Sequence, residues 1–336
     1  MTSPNRDPAT VARALSGLAP DLAGPGATLV RVRPAGGNAG FSYLLDVGTD
    51  EGVRTLFLRL APPGVRRAGT ADLGRQSTAL RALDPTEVPH PAVLAQGEHP
   101  LVGDYLVTSM VTGRARGERG SLAGVDRDVR DRMAGEAMTA LAGIHAVPPR
   151  AVEGYLGPFA GAEQQVRRWD RFFLKGEYVE ELGPDFQRAR TLLLASAPAE
   201  PRLSLCHGDF QFGNLMFTDD GALTAVIDWE LCEVAPALSD LGWVMAFHDR
   251  RAWGGLARES ASYFDAEQLR ALYRKAGGDS TGVEWYQALA HYKYAVIASL
   301  NLSLHRRGKR QDPEWERRGP GALTNMRYAV ELLESC

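Results

Sequence analysis

The sequence predicts an α+β chain of two lobes, a small β-rich lobe first and a larger, mainly helical lobe after it. Three observations predict this. Between residues 27 and 113 several short apolar runs are bounded by Gly and Pro, some with strict period-two alternation, whereas most of the later chain repeats its apolar residues at helical spacing. A single β-rich island, residues 203–230, interrupts that helical part. The length, 336 residues, suits two domains or one bilobal unit and can bury a sizeable core.

In chain order, residues 1–10 read as disordered and 9–20 as a short helix stopped by Pro20. ATLVRVRP and FSYLLDVG read as strands on either side of Ala35-Gly36-Gly37-Asn38-Ala39-Gly40, a strong turn signal. VRTLFLRLA follows, with Leu56, Leu58 and Leu60 on one face and Thr55, Phe57 and Arg59 on the other. Residues 70–83 read as a helix with Leu73, Leu80 and Leu83 on its apolar side. VLAQGE and DYLVTSMVTG add two strands, and residues 107–113 link them to the rest. From 126 to 145, Met133, Ala137, Leu141 and Ile144 recur at helical spacing until Pro148-Pro149. Residues 162–181 and 258–304 also read as helices. Within the island, NLMFT and LTAVID form a hairpin across Asp219-Asp220-Gly221. The organisation expected is an N-terminal extension, 1–24; a first lobe, 25–108; a hinge, 109–113; and a second lobe, 114–336. No repeat of solenoid length is present.

Thirty-eight Lys and Arg against 41 Asp and Glu give a net charge of -3, so no global basic excess draws the chain to nucleic acid or an anionic membrane. No apolar run reaches the ~20 residues a membrane span needs, and MTSPNRDPAT lacks a signal peptide's apolar stretch. A cytoplasmic protein is expected; its oligomeric state is not legible. Cys206, Cys232 and Cys336 are odd in number, widely spaced and free of any CxxC. The first two, in apolar contexts, read as buried small side chains.

Three polar residues of the island stand out: Asp209, Asn214 and Asp228. Asp209 and Asn214 lie five positions apart in a loop between apolar strands, and Asp228 ends the second hairpin strand. Singly, Asp209 and Asn214 also suit a turn or helix cap. Together they supply what phosphoryl transfer asks of a protein: a carboxylate for the attacking hydroxyl, and an amide oxygen and second carboxylate suited to Mg²⁺. A base, four intervening residues, an amide and then a strand-end carboxylate is also the order of a kinase catalytic loop.

HGDFQFGN, residues 207–214, with AVIDWE, 225–230, resembles the signature of the aminoglycoside phosphotransferase-like family, which shares the protein-kinase-like fold. LAGIHAVPP, QVRRWDRFF, LCEVAPALSDLGWV and HYKYAVIASLNL resemble its flanking segments, so the likeness covers residues 25–330. The branch it most resembles is the phosphotransferase domain fused to some acyl-CoA dehydrogenases. The resemblance implies Asp209 as catalytic base, Asn214 and Asp228 as Mg²⁺ ligands, and ATP or GTP between the lobes. Gly37, Asn38, Ala39 and Gly40 would cover the phosphates, and Ser109 to Val111 would bind the base through backbone groups; taken alone, that glycine cluster equally suits a plain hairpin turn. Arg59 and Gln76 fall where the kinase fold usually has Lys and Glu, with His207 and Glu230 in supporting places. Ala235-Pro236-Ala237 replaces the family's Gly-Asp-Pro. The function implied is a kinase of small-molecule hydroxyls, of a metabolite or an antibiotic. The Arg59–Gln76 departure motivates an alternative, a pseudokinase that binds nucleotide or protein without turnover. The basic run RRGKRQDPEWERR reads as solvated surface or as a contact for an anionic acceptor.

Overall fold

Residues 7–35, 41–62, 69–116, 122–159, 161–173, 182–199, 201–253 and 263–335 are described in this computed structural model. Strands β1 (Thr28–Pro34), β2 (Ser42–Thr49), β3 (Gly52–Leu60), β4 (Val93–His99) and β5 (Gly103–Ser109) form one antiparallel sheet in the order β1-β2-β3-β5-β4. Period-two alternation decides its faces. Leu56, Leu58 and Leu60 of β3 are all but fully buried, with Leu45, Val47 and Val107 of the neighbouring strands. They pack under helices α1 (Pro8–Leu15) and α2 (Ala19–Ala23), whose Val11, Leu15 and Leu22 belong to the same cluster. Arg59, one residue out of phase, therefore faces away, toward helix α3 (Leu73–Leu83) and the second lobe.

The N-terminal expectation needs correcting. Residues 8–10 are helical, not disordered, because Asp7 caps α1 by accepting from Ala9 and Thr10 N–H. Pro20 does not stop a helix; it lies in the first turn of α2, where its missing N–H costs nothing.

The second lobe opens with β6 (Arg114–Ala115), then α4 (Arg127–Ala146), α5 (Glu153–Leu156), α6 (Ala162–Phe173) and α7 (Gly183–Ala195). Four short strands follow: β7 (Leu203–Cys206), β8 (Leu215–Phe217), β9 (Leu223–Val226) and β10 (Glu233–Pro236). With β6 they make two small sheets, β6-β8-β9 and β10-β7. Helices α8 (Leu238–His248), α9 (Arg250–Trp253), α10 (Ala266–Lys275), α11 (Val283–Arg306), α12 (Glu314–Arg318) and α13 (Pro320–Glu334) complete it. Met133, Ala137, Leu141 and Ile144 of α4 are buried as their spacing requires, against β7 to β10. Of the expected helix 258–304, residues 258–262 lie outside the described residues, and the remainder holds two helices, α10 and α11. Gly277 and Gly282 adopt φ of 93° and 77°, which no helix contains, and break the run between them. Helix α6 ends its described part at Phe173; residues 174–181 of the expected helix lie outside the described residues. Strand β10 was not foreseen, since four residues ending in Pro carry no alternation to read.

Candidate active site

The β8–β9 hairpin and the loop before it bring the island's polar residues to one place. Strand β7 ends at Cys206, and the chain turns at His207-Gly208-Asp209. Gly208 has φ 83°, and a Cβ there would lie 2.2 Å from the Leu231 carbonyl oxygen, so only glycine fits. The buried Asp240 carboxylate of α8 holds the turn, accepting from His207 N–H at 2.6 Å and Gly208 N–H at 2.8 Å. Burial opposes its ionisation, but His145, His207 and these backbone bonds outweigh that and hold its carboxyl below the usual range. His207 is buried. Its Nε2–H donates to Ile227 O at 2.9 Å and its Nδ1 accepts from Asp209 N–H at 3.3 Å, which ties the loop to the end of β9.

Three donors converge on Asp209. Trp243 Nε1–H meets Oδ1 at 2.8 Å, while Gln211 Nε2 and Asn214 Nδ2 each meet Oδ2 at 3.0 Å. Asn214 Nδ2 also donates to the Asp209 carbonyl at 2.9 Å, so its amide nitrogen is committed and Oδ1 is the atom left to serve as a ligand. Ile227 N–H donates to Asn214 O, which extends the hairpin ladder and sets Asn214 beside the segment carrying Asp228. Asp228 lies at φ 66°, ψ 58°, the only non-glycine among the described residues at positive φ. Asp tolerates that conformation better than most residues, and it turns the chain sharply off the strand. Asn214 Oδ1 and the Asp228 carboxylate are hard oxygen donors of the kind Mg²⁺ takes.

Arg59 reaches this cluster from β3. Its guanidinium donates to Gln76 Oε1 at 3.4 Å and to Asp228 Oδ1 at 3.3 Å, and pairs closely with Glu230 Oε2. Burial and the Asp228 charge raise the Glu230 carboxyl above its ordinary pKa, with Arg59 opposing. Gln76 is buried, and its Nε2 has no hydrogen-bond partner among the described residues. Ser109 closes β5, exchanging bonds with Ala92. No hydrogen bond from another described residue reaches the backbone of Met110 or Val111. Gly37, Asn38, Ala39 and Gly40 lie outside the described residues.

A cavity of about 540 Å³ opens beside Asp209 between α6, α8 and α11. Trp169, Phe172, Trp243, Phe247 and Ile297 make its apolar walls, and the cations Arg168, Lys293, Arg310 and Arg318 line it together with Asp209, Glu233 and Asp240. Lys293, half-buried, donates to Gly208 O at 3.2 Å and lies 4.0 Å from the centroid of the Trp243 ring. Burial lowers its pKa, while Asp209 and Glu233 act the other way. Sequence reasoning missed Gln211 and Lys293. The one signal for Lys293 was a lone Lys inside the mainly apolar and aromatic HYKYAVIASLNL. His145, Cys206 and Asp240 bring ligand-type atoms within 4.8 Å of one another. They already serve one another and the loop: His145 meets Asp240 Oδ2 through Nε2 at 3.4 Å and Tyr273 through Nδ1, Asp240 also holds the loop, and the Cys206 thiol, its pKa pushed up by burial, donates to the carbonyls of Ala235 and Pro236. No helix among the described residues is long and apolar enough to cross a membrane.

Known proteins resemble this chain in sequence and in fold. Acyl-CoA dehydrogenase family member 11 of Pongo abelii is 25% identical over 267 residues, which cover 74% of this chain but only 33% of that protein. A candidate aminoglycoside phosphotransferase of Ralstonia eutropha shares the fold with a TM-score of 0.78 at 22% identity, covering 96% of this chain and 98% of that one. APH(2″)-IIIa, solved with GDP and kanamycin, aligns at a TM-score of 0.64 and 16% identity over 97% of each chain. The profile of the phosphotransferase enzyme family matches residues 31–278, which span the sheet, the loop of Asp209 and the hairpin of Asp228, and the chain belongs to that family.

Proposed function

We propose that the chain is a small-molecule kinase that transfers the γ-phosphoryl group of ATP or GTP to a hydroxyl. The observation that carries the reading is the Asp209–Asn214–Asp228 grouping, with Asp209 itself lining a cavity large enough for a metabolite. In this reading Asp209 orients the acceptor hydroxyl and takes its proton as the oxygen attacks the γ-phosphorus and the bond to the leaving diphosphate breaks. Trp243, Gln211 and Asn214 hold the carboxylate still meanwhile. Asn214 Oδ1 and Asp228 would hold Mg²⁺, which supplies charge neutralisation at the phosphates. Arg59 adds positive charge at the same place, and the backbone from Ser109 to Val111 receives the base. The cations Arg168, Lys293, Arg310 and Arg318 favour a neutral or anionic acceptor over a polycationic antibiotic. A hydroxyacyl or related metabolite fits that charge, and the match to an acyl-CoA dehydrogenase family member points the same way.

The Arg59–Asp228 ion pair favours a second reading, nucleotide binding without turnover, because it occupies a carboxylate the metal would need. One experiment separates the two. Thermal unfolding of wild type and Asp228→Asn is followed with Mg-ATP and with Mg-GTP, and transfer is followed in Asp209→Asn. One nucleotide at saturation should stabilise wild type by roughly 2–3 kcal/mol and Asp228→Asn much less. Asp209→Asn should bind nucleotide normally yet lose transfer by about 10²–10⁴-fold. No shift with either nucleotide would sink the kinase reading. A nucleotide shift with no transfer to any hydroxyl acceptor would favour the second.

A further inference from the structure

We infer that a second cavity, lined by Arg75, Arg167, Arg168 and Arg171, is a binding site for a phosphate-type anion. It measures about 460 Å³ and shares Gln165, Arg168 and Glu233 with the cavity at Asp209. Helix α6 is the wall between them, and its spacing explains how one helix serves both. Gln165, Arg168, Trp169 and Phe172 line the cavity at Asp209, whereas Gln164, Arg167, Arg168 and Arg171 line the second, one residue or ~100° around the helix.

Among the described residues, the charges in this second cavity do not cancel. Arg167 pairs with Glu163, and Arg168 pairs with Glu233 at 3.2 Å. Arg75 and Arg171 have no carboxylate within ion-pair distance among the described residues. Arg75 donates to Leu156 O at 3.3 Å and Cys232 O at 2.8 Å, and Arg171 lies over the Phe172 ring at 4.9 Å. Four guanidinium groups thus face two carboxylates. The backbone carbonyls fix Arg75 in place and leave three of its five N–H donors for a ligand. Planar guanidinium groups suit an anion with several oxygens on one centre, and a phosphate or diphosphate supplies these together with the double negative charge the site lacks. Two sources share this chemistry: a phosphate on the acceptor itself, with its hydroxyl reaching Asp209 next door, or a free phosphate or diphosphate. The site stands without the kinase reading; telling its two uses apart rests on that reading.

The probe is inorganic pyrophosphate, titrated calorimetrically without Mg²⁺ or nucleotide into wild type, Asp228→Asn and the double variant Arg167→Ala/Arg171→Ala. Both arginines are exposed, so the double variant should keep the wild-type unfolding temperature. Wild type and Asp228→Asn should bind alike, and the double variant at least about tenfold more weakly. Arg171→Lys, which keeps charge but loses the planar fork, should fall between. Absence of saturable binding at millimolar pyrophosphate, or equal binding by the double variant, overturns the site. Because no nucleotide is present, this result is independent of whether the chain is a kinase. Where binding holds, two further results each support the site and identify its source. Competition by pyrophosphate against a phosphorylated hydroxyl acceptor, absent in the double variant, assigns the acceptor's own phosphate. A change in Mg-ATP hydrolysis without any acceptor assigns a free ligand.

Discussion

Trp243 illustrates how much one residue's neighbours decide. In sequence it is one more aromatic on an apolar helix, and its ring is indeed buried among Phe247 and Lys293. Only the fold turns its Nε1–H onto Asp209 Oδ1. Trp243→Phe keeps most of the ring and deletes that donor. Losing one hydrogen bond to a charged group should lower kcat about tenfold or somewhat more, with KM for Mg-nucleotide unchanged. Unchanged kcat, or a KM rising in step, would assign the indole to packing alone. Asp209, Asn214 and Asp228 were legible in sequence because their residue types are costly inside an apolar island unless they are paired or reach solvent. Gln211 and Lys293 were not, since a Gln in a loop or a Lys on a helix is ordinary until something is seen against it.

At the scale of elements, alternation and helical spacing located the first-lobe strands and α4. They failed where glycine or proline acted through geometry: Gly277 and Gly282 split α10 from α11, and Pro20 opens α2 rather than closing a helix. The contact of α11 with α13 carries a pH dependence. His291 of α11 is fully buried, bonded through Nδ1 to Asn325 Oδ1 of α13 at 2.7 Å, and its Nε2 has no partner among the described residues. Burial lowers its pKa to about 4. Between that value and the unfolded 6.5 the unfolded chain binds the extra proton, so stability falls as pH drops through this window. From pH 7.5 to 5 this site should cost about 2 kcal/mol. His291→Leu, which cannot titrate, should flatten that part of the pH dependence of the unfolding temperature. An equal slope in wild type and variant would place the titration elsewhere.

Across the whole molecule, Arg59 is the side chain that joins the sheet to the hairpin of the second lobe. Its partner Glu230 is a third exposed, and burial already disfavours the charged carboxylate. Glu230→Gln should therefore cost only about 0–1 kcal/mol in urea unfolding. A loss well above that would make the pair a structural tie between the lobes. The sequence by itself determined the fold class, most of the strands, the family and the three polar residues of the island, because periodicity and motif spacing are local properties that survive without coordinates. Tertiary structure alone decided what surrounds them. It brought Glu230 rather than a helix carboxylate to Arg59, hung Asp209 from Trp243, and lined two adjoining cavities with arginine. Those contacts join residues 34 to 171 positions apart, and such contacts exist only once the helices have packed.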